Sequence, residues 1–351
     1  MKNVRFQSVC MFAVLILLSS CWGGREKENG KKEEGKVTIG FSIATDTFII
    51  ERWNKDIKIF TTAAKNLGAE VILQLSAGGA KAQIDQIHYL LEKDIDILVV
   101  LAHDTSLLAG AIKEVRDRRI PVLAYDRLIM GVPVNAYISF DNREVGRLFG
   151  KALTSKVPRG NYLIVNGSIR DNNSYEVNDG LHEIIDPYIE AGQIHIVDEL
   201  WLEQWSGDEA TVRVREVLER TTDIDAISAG NDQIANAAIQ LLAERRMAGD
   251  VAVVGQDADL LSCQRVVEGL QIMTVYKPIE KLASRAAALA VELAKGEMPD
   301  PDRMVENDSG VKIPFFVEMP RAVFKENMDE TVIRDGFHSV EDVYRDQQGE
   351  F

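Results

Sequence analysis

The sequence predicts an α/β fold of two similar lobes, each built on a parallel sheet, and three observations carry that prediction. From Val37 onward, short apolar runs rich in Val and Ile alternate with longer segments of helical period. The runs are apolar throughout instead of alternating with polar residues, as expected of parallel strands covered by helices on both faces. Ten such runs are too many for one compact layer in a chain of 351 residues, and they fall five before Asn142 and five after it.

The first five strands are expected at 37–43 (VTIGFSI), 70–76 (EVILQLS), 96–102 (DILVVLA), 121–125 (PVLAY) and 136–140 (AYISF). Amphipathic segments at 51–67, 81–93 and 104–118 supply helices between them. The second five are expected at 162–167 (YLIVNG), 194–200 (IHIVDEL), 225–230 (DAISAG), 251–256 (VAVVGQ) and 272–277 (IMTVYK), with a helix at 233–245 among their connections. A further helix at 279–293 and a short apolar piece, VKIPFFVEM, return the chain late, so that both lobes share the terminus. The expected division is 37–142 with 279–315 for the first lobe, 143–278 with 316–340 for the second, and a polar tail at 341–351.

Ahead of the folded part, Lys2 and Arg5, an apolar run at 9–18 and small Ser19 and Ser20 read as an export signal over residues 1–20, too short to anchor stably across a bilayer. The stretch LSSC ending at Cys21 resembles the bacterial lipobox, which implies a lipidated Cys21 and a membrane-anchored, exported protein; an ordinary secretory signal with an incidental cysteine is the alternative. Residues 22–36 mix Gly with charge, as a solvated tether does. Removing residues 1–20 takes two bases with it, and the formal charge of −15 becomes 38 − 55 = −17. Such interspersed acidity, with no basic stripe, excludes nucleic acid as a partner. Cys10 leaves with the signal, so Cys263 alone remains as a thiol and no disulfide framework is available.

Ligands of open parallel sheets bind beyond the carboxyl ends of the strands. Leaving aside the first strand, whose loop leads to Glu51, Arg52 and Trp53, seven strands end in residues of one chemical set. These are Asp126 and Arg127; Asp141 and Asn142; Asp171, Asn172 and Asn173; Asn231 and Asp232; Asp257 and Asp259; Lys277; and Trp201 with Trp205. Carboxylates and amides accept from sugar hydroxyls, Arg, Lys and amide N–H groups donate to them, and Trp packs against the CH face of a sugar ring. Each residue also has a plainer reading. Asp141 and Asp171 could be helix caps, Asp126 and Arg127 a structural ion pair, Lys277 a turn lysine, and one of Trp201 and Trp205, four apart, could sit on a buried helical face. Coincidence at seven strand ends favours a shared site.

The stretches ERWNKD (51–56), VLAYDRLI (122–129), YISFDN (137–142), VPRGNY (157–162), DNN (171–173), GQDADL (255–260), MTVYKPI (273–279) and TVIRDGFH (331–338) resemble the D-xylose-binding proteins of bacterial ABC importers, in the ribose-binding branch of the type I periplasmic binding proteins. The resemblance implies two Rossmann-like lobes joined by a hinge of several crossings. It implies further that Trp53 and Trp205 flank the sugar, while Arg52, Asp126, Arg127, Asp171, Asn173, Asn231, Asp257 and Lys277 hydrogen-bond its hydroxyls. Asp126 and Arg127 would then form a clamp whose mutual charge orients both side chains.

The expected function is a monomeric, lipid-anchored substrate-binding protein that carries D-xylose or a close monosaccharide to a membrane permease, with no cofactor. The alternative is a sugar sensor that docks on a chemoreceptor or a sensor kinase. The five histidines show no metal-ligand spacing, and GxSxG and Walker motifs are missing, so an enzyme is not expected. Paired carboxylates such as Asp257 and Asp259 could in principle serve a glycosidase.

Overall fold

The computed structural model describes residues 35–44 and 50–345, apart from the side chains at 50 and 51. The signal at 1–20, Cys21, most of the tether and the end of the polar tail lie outside the described residues. The first lobe opens with β1 (Thr38–Ala44), α1 (Ile50–Asn66), β2 (Glu70–Ser76), α2 (Gly79–Leu91), β3 (Ile97–Leu101), α3 (Ala109–Asp117), β4 (Val122–Tyr125) and β5 (Ala136–Phe140). The second runs through α4 (Asn142–Lys156), β6 (Gly160–Ser168), α5 (Asn172–Glu190), β7 (Ile194–Leu202), α6 (Gly207–Arg220), β8 (Ala226–Ala229), α7 (Asp232–Glu244), β9 (Ala252–Gln256), α8 (Leu260–Glu268) and β10 (Met273–Tyr276). All ten apolar runs are strands, within two residues of the expected ends.

The two sheets share the order 2-1-3-4-5, β2-β1-β3-β4-β5 in one and β7-β6-β8-β9-β10 in the other, with these strands parallel. Their apolar residues explain why: β3, β4 and β5 are buried at every position, and core layers form on both faces. After β10 the chain returns to the first lobe as α9 (Ile279–Ala294), which packs beside α1, and as the hairpin β11 (Arg303–Glu306) and β12 (Lys312–Glu318). Here β12 lies parallel to β5, whereas β13 (Arg321–Val323) lies antiparallel to β10. The chain therefore crosses between sheets after β5, after β10 and after β12.

Two expectations shift. The apolar piece VKIPFFVEM stays in the first sheet to Glu318, three residues past the expected lobe boundary at 315, because Phe316–Glu318 extend the pairing with β5. The polar tail begins docked: α10 (Val340–Val343) buries Val343 with α8, and Gln264 donates to the Asp342 carbonyl at 2.8 Å. Cys263 is a buried free thiol, its S–H directed to the Ala258 carbonyl.

Candidate functional site

Side chains from both lobes converge on one cavity of about 310 Å³. Arg52 and Trp53 come from α1, Asp126 and Arg127 from the end of β4, Asp171 and Asn173 from the start of α5, and Trp205 from the loop after β7. Gln256 and Asp257 come from the end of β9, and Lys277 follows β10. Nine of the ten residues expected at the ligand thus meet here. Asn231 is the tenth and does not line the cavity; its side-chain oxygen caps α7 by accepting the Ile234 N–H at 2.9 Å. A wider surface groove of about 1080 Å³ beside α1 and α9 has no such convergence of buried charge.

Asp126 and Asp257 stand at corresponding strand ends. Each leaves its strand with positive φ, 63° and 98°, and each backbone N–H bonds at 2.8 Å to the carbonyl of the fifth strand, Ile138 in one lobe and Val275 in the other. Asp tolerates this left-handed region better than most residues with a Cβ, and the turn aims the carboxylate off the sheet end. Around Asp126 the bonding is dense. Its carbonyl accepts from Tyr137 Oη at 3.1 Å, Ser139 Oγ at 2.7 Å and Asn173 Nδ2 at 3.1 Å, and its carboxylate pairs with Arg52.

Asp171 satisfies both of its readings. One oxygen caps α5 by accepting the Asn173 N–H at 3.0 Å; the other accepts from Trp205 Nε1 at 3.0 Å and lies 2.9 Å from Arg127 Nε. The ion pairs that fix Asp126 and Arg127 are therefore with Arg52 and Asp171, and each charge of the expected clamp is held by a residue distant in sequence. Trp205 belongs to a loop and Trp201 to β7, so they share no helical face; Trp201 stacks on Tyr175 with centroids 4.7 Å apart. The Trp205 ring lies directly on Gly167, where any Cβ would overlap it. Lys277, 6% exposed, is no solvated turn residue: its Nζ lies 3.4 Å from Asp257 Oδ1.

Arg52 is the hub. Burial works against its charge, but Asp126, Asp257 at 3.6 Å and Asp56 at 3.9 Å outweigh that and hold the guanidinium above its ordinary pKa. Beneath it, burial pushes the Asp56 carboxyl up to about 7 against the opposing pull of Arg52 and the hydrogen bond from Tyr125. Burial likewise raises Asp171, with Arg127 opposing. Around the cavity three cations, Arg52, Arg127 and Lys277, face Asp126, Asp171 and Asp257, with Asp56 behind Arg52. No group of His, Cys, Asp and Glu among the described residues is arranged to hold a metal ion.

Several buried polar atoms here have no hydrogen-bond partner: Trp53 Nε1, Arg52 Nε, Asp257 Oδ1 and Gln256 Oε1. Such atoms are rare in folded proteins and call for a polar occupant. A pattern confined to the residues after each strand misses Gln256, the last residue of β9, and Asp56, one helical turn beyond Arg52. The i, i+4 spacing of Arg52 and Asp56 was the available signal for the second.

A two-lobed α/β chain with a polar, aromatic-flanked cavity at its strand ends is a solute-binding architecture. The chain belongs to the periplasmic binding protein family: the model described as periplasmic binding protein domain matches residues 41–298. It is 42% identical over 310 residues to the D-xylose-binding periplasmic protein of Haemophilus influenzae, covering 88% of this chain and 92% of that protein. The D-xylose-binding periplasmic protein of Escherichia coli is 41% identical over 305 residues, 86% of this chain and 91% of its own length. A crystal structure of a carbohydrate transporter solute binding protein from Chloroflexus aurantiacus, in complex with D-glucose, matches with a TM-score of 0.80 and 25% identity over 88% of this chain and 98% of that one. The chain is a binding protein of this family and not an enzyme.

Proposed function

We propose that the protein binds D-xylose, or a close monosaccharide, in the cavity between its lobes and delivers it to an ABC permease. The observation that carries this reading is the set of buried, unpartnered polar atoms around a 310 Å³ space flanked by Trp53 and Trp205. The names of the two relatives, 42% and 41% identical over the aligned residues, support xylose in particular.

The lobes comprise 37–142 with 279–318 and 143–278 with 321–345. Arg127 to Asp171, Arg52 to Asp257 and Asn173 to the Asp126 carbonyl all bridge them, so opening the cleft breaks these contacts and a sugar touching both sides favours closure. Each charge-assisted hydrogen bond contributes about 1.5–3 kcal/mol, against an ordering cost of several kcal/mol. Micromolar binding, about −8 kcal/mol, is within reach of this set. Export, acylation at Cys21 and a monomeric state complete the reading.

Isothermal titration of the purified mature protein with D-xylose, ribose, arabinose, glucose and galactose tests it. Micromolar or tighter binding to xylose and weaker binding to the others is expected; no heat with any of the five sinks the proposal. Mass spectrometry of the membrane-extracted protein checks the acyl group, whose absence from Cys21 removes the anchor from the account.

A further inference from the structure

We propose that Gln256 is a specificity residue of this site, its side-chain oxygen accepting a hydrogen bond from one hydroxyl of the sugar. This rests on the sugar-binding reading above and adds to it a neutral contact that neither the strand-end pattern nor the resemblance supplies. Gln256 closes β9, is 2% exposed and lines the cavity. Its amide nitrogen is committed: Nε2 donates to the Gly230 carbonyl at 2.6 Å. That bond also fixes which way the amide faces, since turning it over would set two carbonyl oxygens against each other. The Oε1 atom is left buried with no donor from the protein.

Other acceptors of the site are better occupied. Asp126 is paired with Arg52, Asp171 accepts from Arg127, Trp205 and the Asn173 backbone, and the Asn173 side chain donates to the Asp126 carbonyl. Asp257 Oδ1 lacks a hydrogen bond but has Lys277 at 3.4 Å and Arg52 at 3.6 Å to offset its charge. Gln256 Oε1 is thus a fixed, uncharged acceptor, lining the cavity, that no protein donor satisfies. A hydroxyl both donates and accepts, but at this atom it must donate. A sugar lacking that hydroxyl leaves the oxygen desolvated and unpaired, the situation in which binding sites discriminate most strongly.

The experiment is a titration of the mature wild-type chain and of Gln256→Met, a near-isosteric change that removes the acceptor, with D-xylose and its 2-, 3- and 4-deoxy analogues. The substitution should weaken xylose about tenfold. One deoxy analogue, penalised in the wild type, should bind the Met variant within about twofold of xylose, while the other two keep their penalties. Unchanged xylose affinity in Gln256→Met, or three unchanged penalties, overturns the proposal while leaving sugar binding intact. Failure of the wild type to bind any sugar removes both readings together. A crystal structure of the wild type with xylose needs no variant: a sugar hydroxyl within about 3.2 Å of Oε1 supports the assignment, and a water or an apolar contact in that place overturns it.

Discussion

In the first lobe the chain leaves β4 at Asp126, and in the second it leaves β9 at Asp257, with the same sign of φ, the same backbone bond to the neighbouring strand and the same outward carboxylate. Their surroundings differ. The Asp126 carbonyl and carboxylate are held by Tyr137, Ser139, Asn173 and Arg52, whereas Asp257 Oδ1 and the adjacent Gln256 Oε1 have no hydrogen bond. The acceptors at the first turn are bonded within the protein itself, whereas two acceptors at the second have no hydrogen bond from it. The same turn, used twice, is tied into the protein on one side and left with open acceptors on the other.

The sharpest way to break this comparison is to neutralise each aspartate separately, using Asn because it tolerates positive φ. Asp126→Asn should cost about 3 kcal/mol of stability in urea unfolding, since it strips a buried guanidinium of a main partner. Asp257→Asn should cost about 1 kcal/mol, its amide oxygen still facing Lys277, yet weaken xylose binding at least tenfold. If both substitutions destabilise equally and spare affinity equally, the two halves are alike.

Next in size is the aromatic wall. Trp53 rides on α1, but Trp205 is seated on Gly167 from a loop, so Gly167→Ala should push its ring away from Asp171. A stability loss of about 1–3 kcal/mol is expected, together with about tenfold weaker sugar binding by titration. A variant that binds as the wild type does would mean that the Trp205 face is not part of recognition.

The fold and most of the site were legible because both follow from local rules. Unbroken Val and Ile runs could only be buried strands, and their carboxyl ends located Asp126, Asp171, Asp257 and Lys277 before any geometry was known. Pairing was not legible, because it depends on which strand ends meet across the cleft: Arg127 finds Asp171, forty-four residues on, and Asp126 finds Arg52. Nor could spacing separate Asn231, which caps a helix, from Asp171, which caps a helix and lines the cavity as well. The deciding difference is whether the second face of the residue meets the cleft, which is a tertiary property. Trp201 and Trp205 misled by spacing alone, since a strand end followed by a loop can imitate a helical interval.

A smaller effect distinguishes the carboxyl beneath Arg52. Asp56, about 7 when folded against an ordinary 3.8, binds a proton in the native state that the unfolded chain has released. Its contribution is therefore fully present below pH 3.8 and lost as pH rises to about 7. In Asp56→Asn that decline should shrink by at least about 1 kcal/mol across the window, measured as the difference between urea midpoints at about pH 4.5 and 7.5. An unchanged slope would mean that Asp56 stays ionised beside Arg52 throughout.

The smallest expected effect lies away from the cavity, in the second lobe alone. His182 on α5 is raised to about 9 by Glu199 on β7 and by Asp186, whose Oδ1 lies 2.7 Å from Nδ1. Here too the folded value exceeds the ordinary 6.5, so the stabilisation is complete below pH 6.5 and disappears as pH rises through 9. The ring is partly exposed and screened by solvent, which reduces the contribution to about 1 kcal/mol. His182→Gln should remove that fall between about pH 6 and 9.5 without altering xylose affinity at pH 6, because none of the three side chains lines the cavity. A loss of affinity in this variant would show that the α5–β7 packing reaches the site through Asp171 at the helix start, and the division between a lobe's frame and its recognition surface would have to be redrawn.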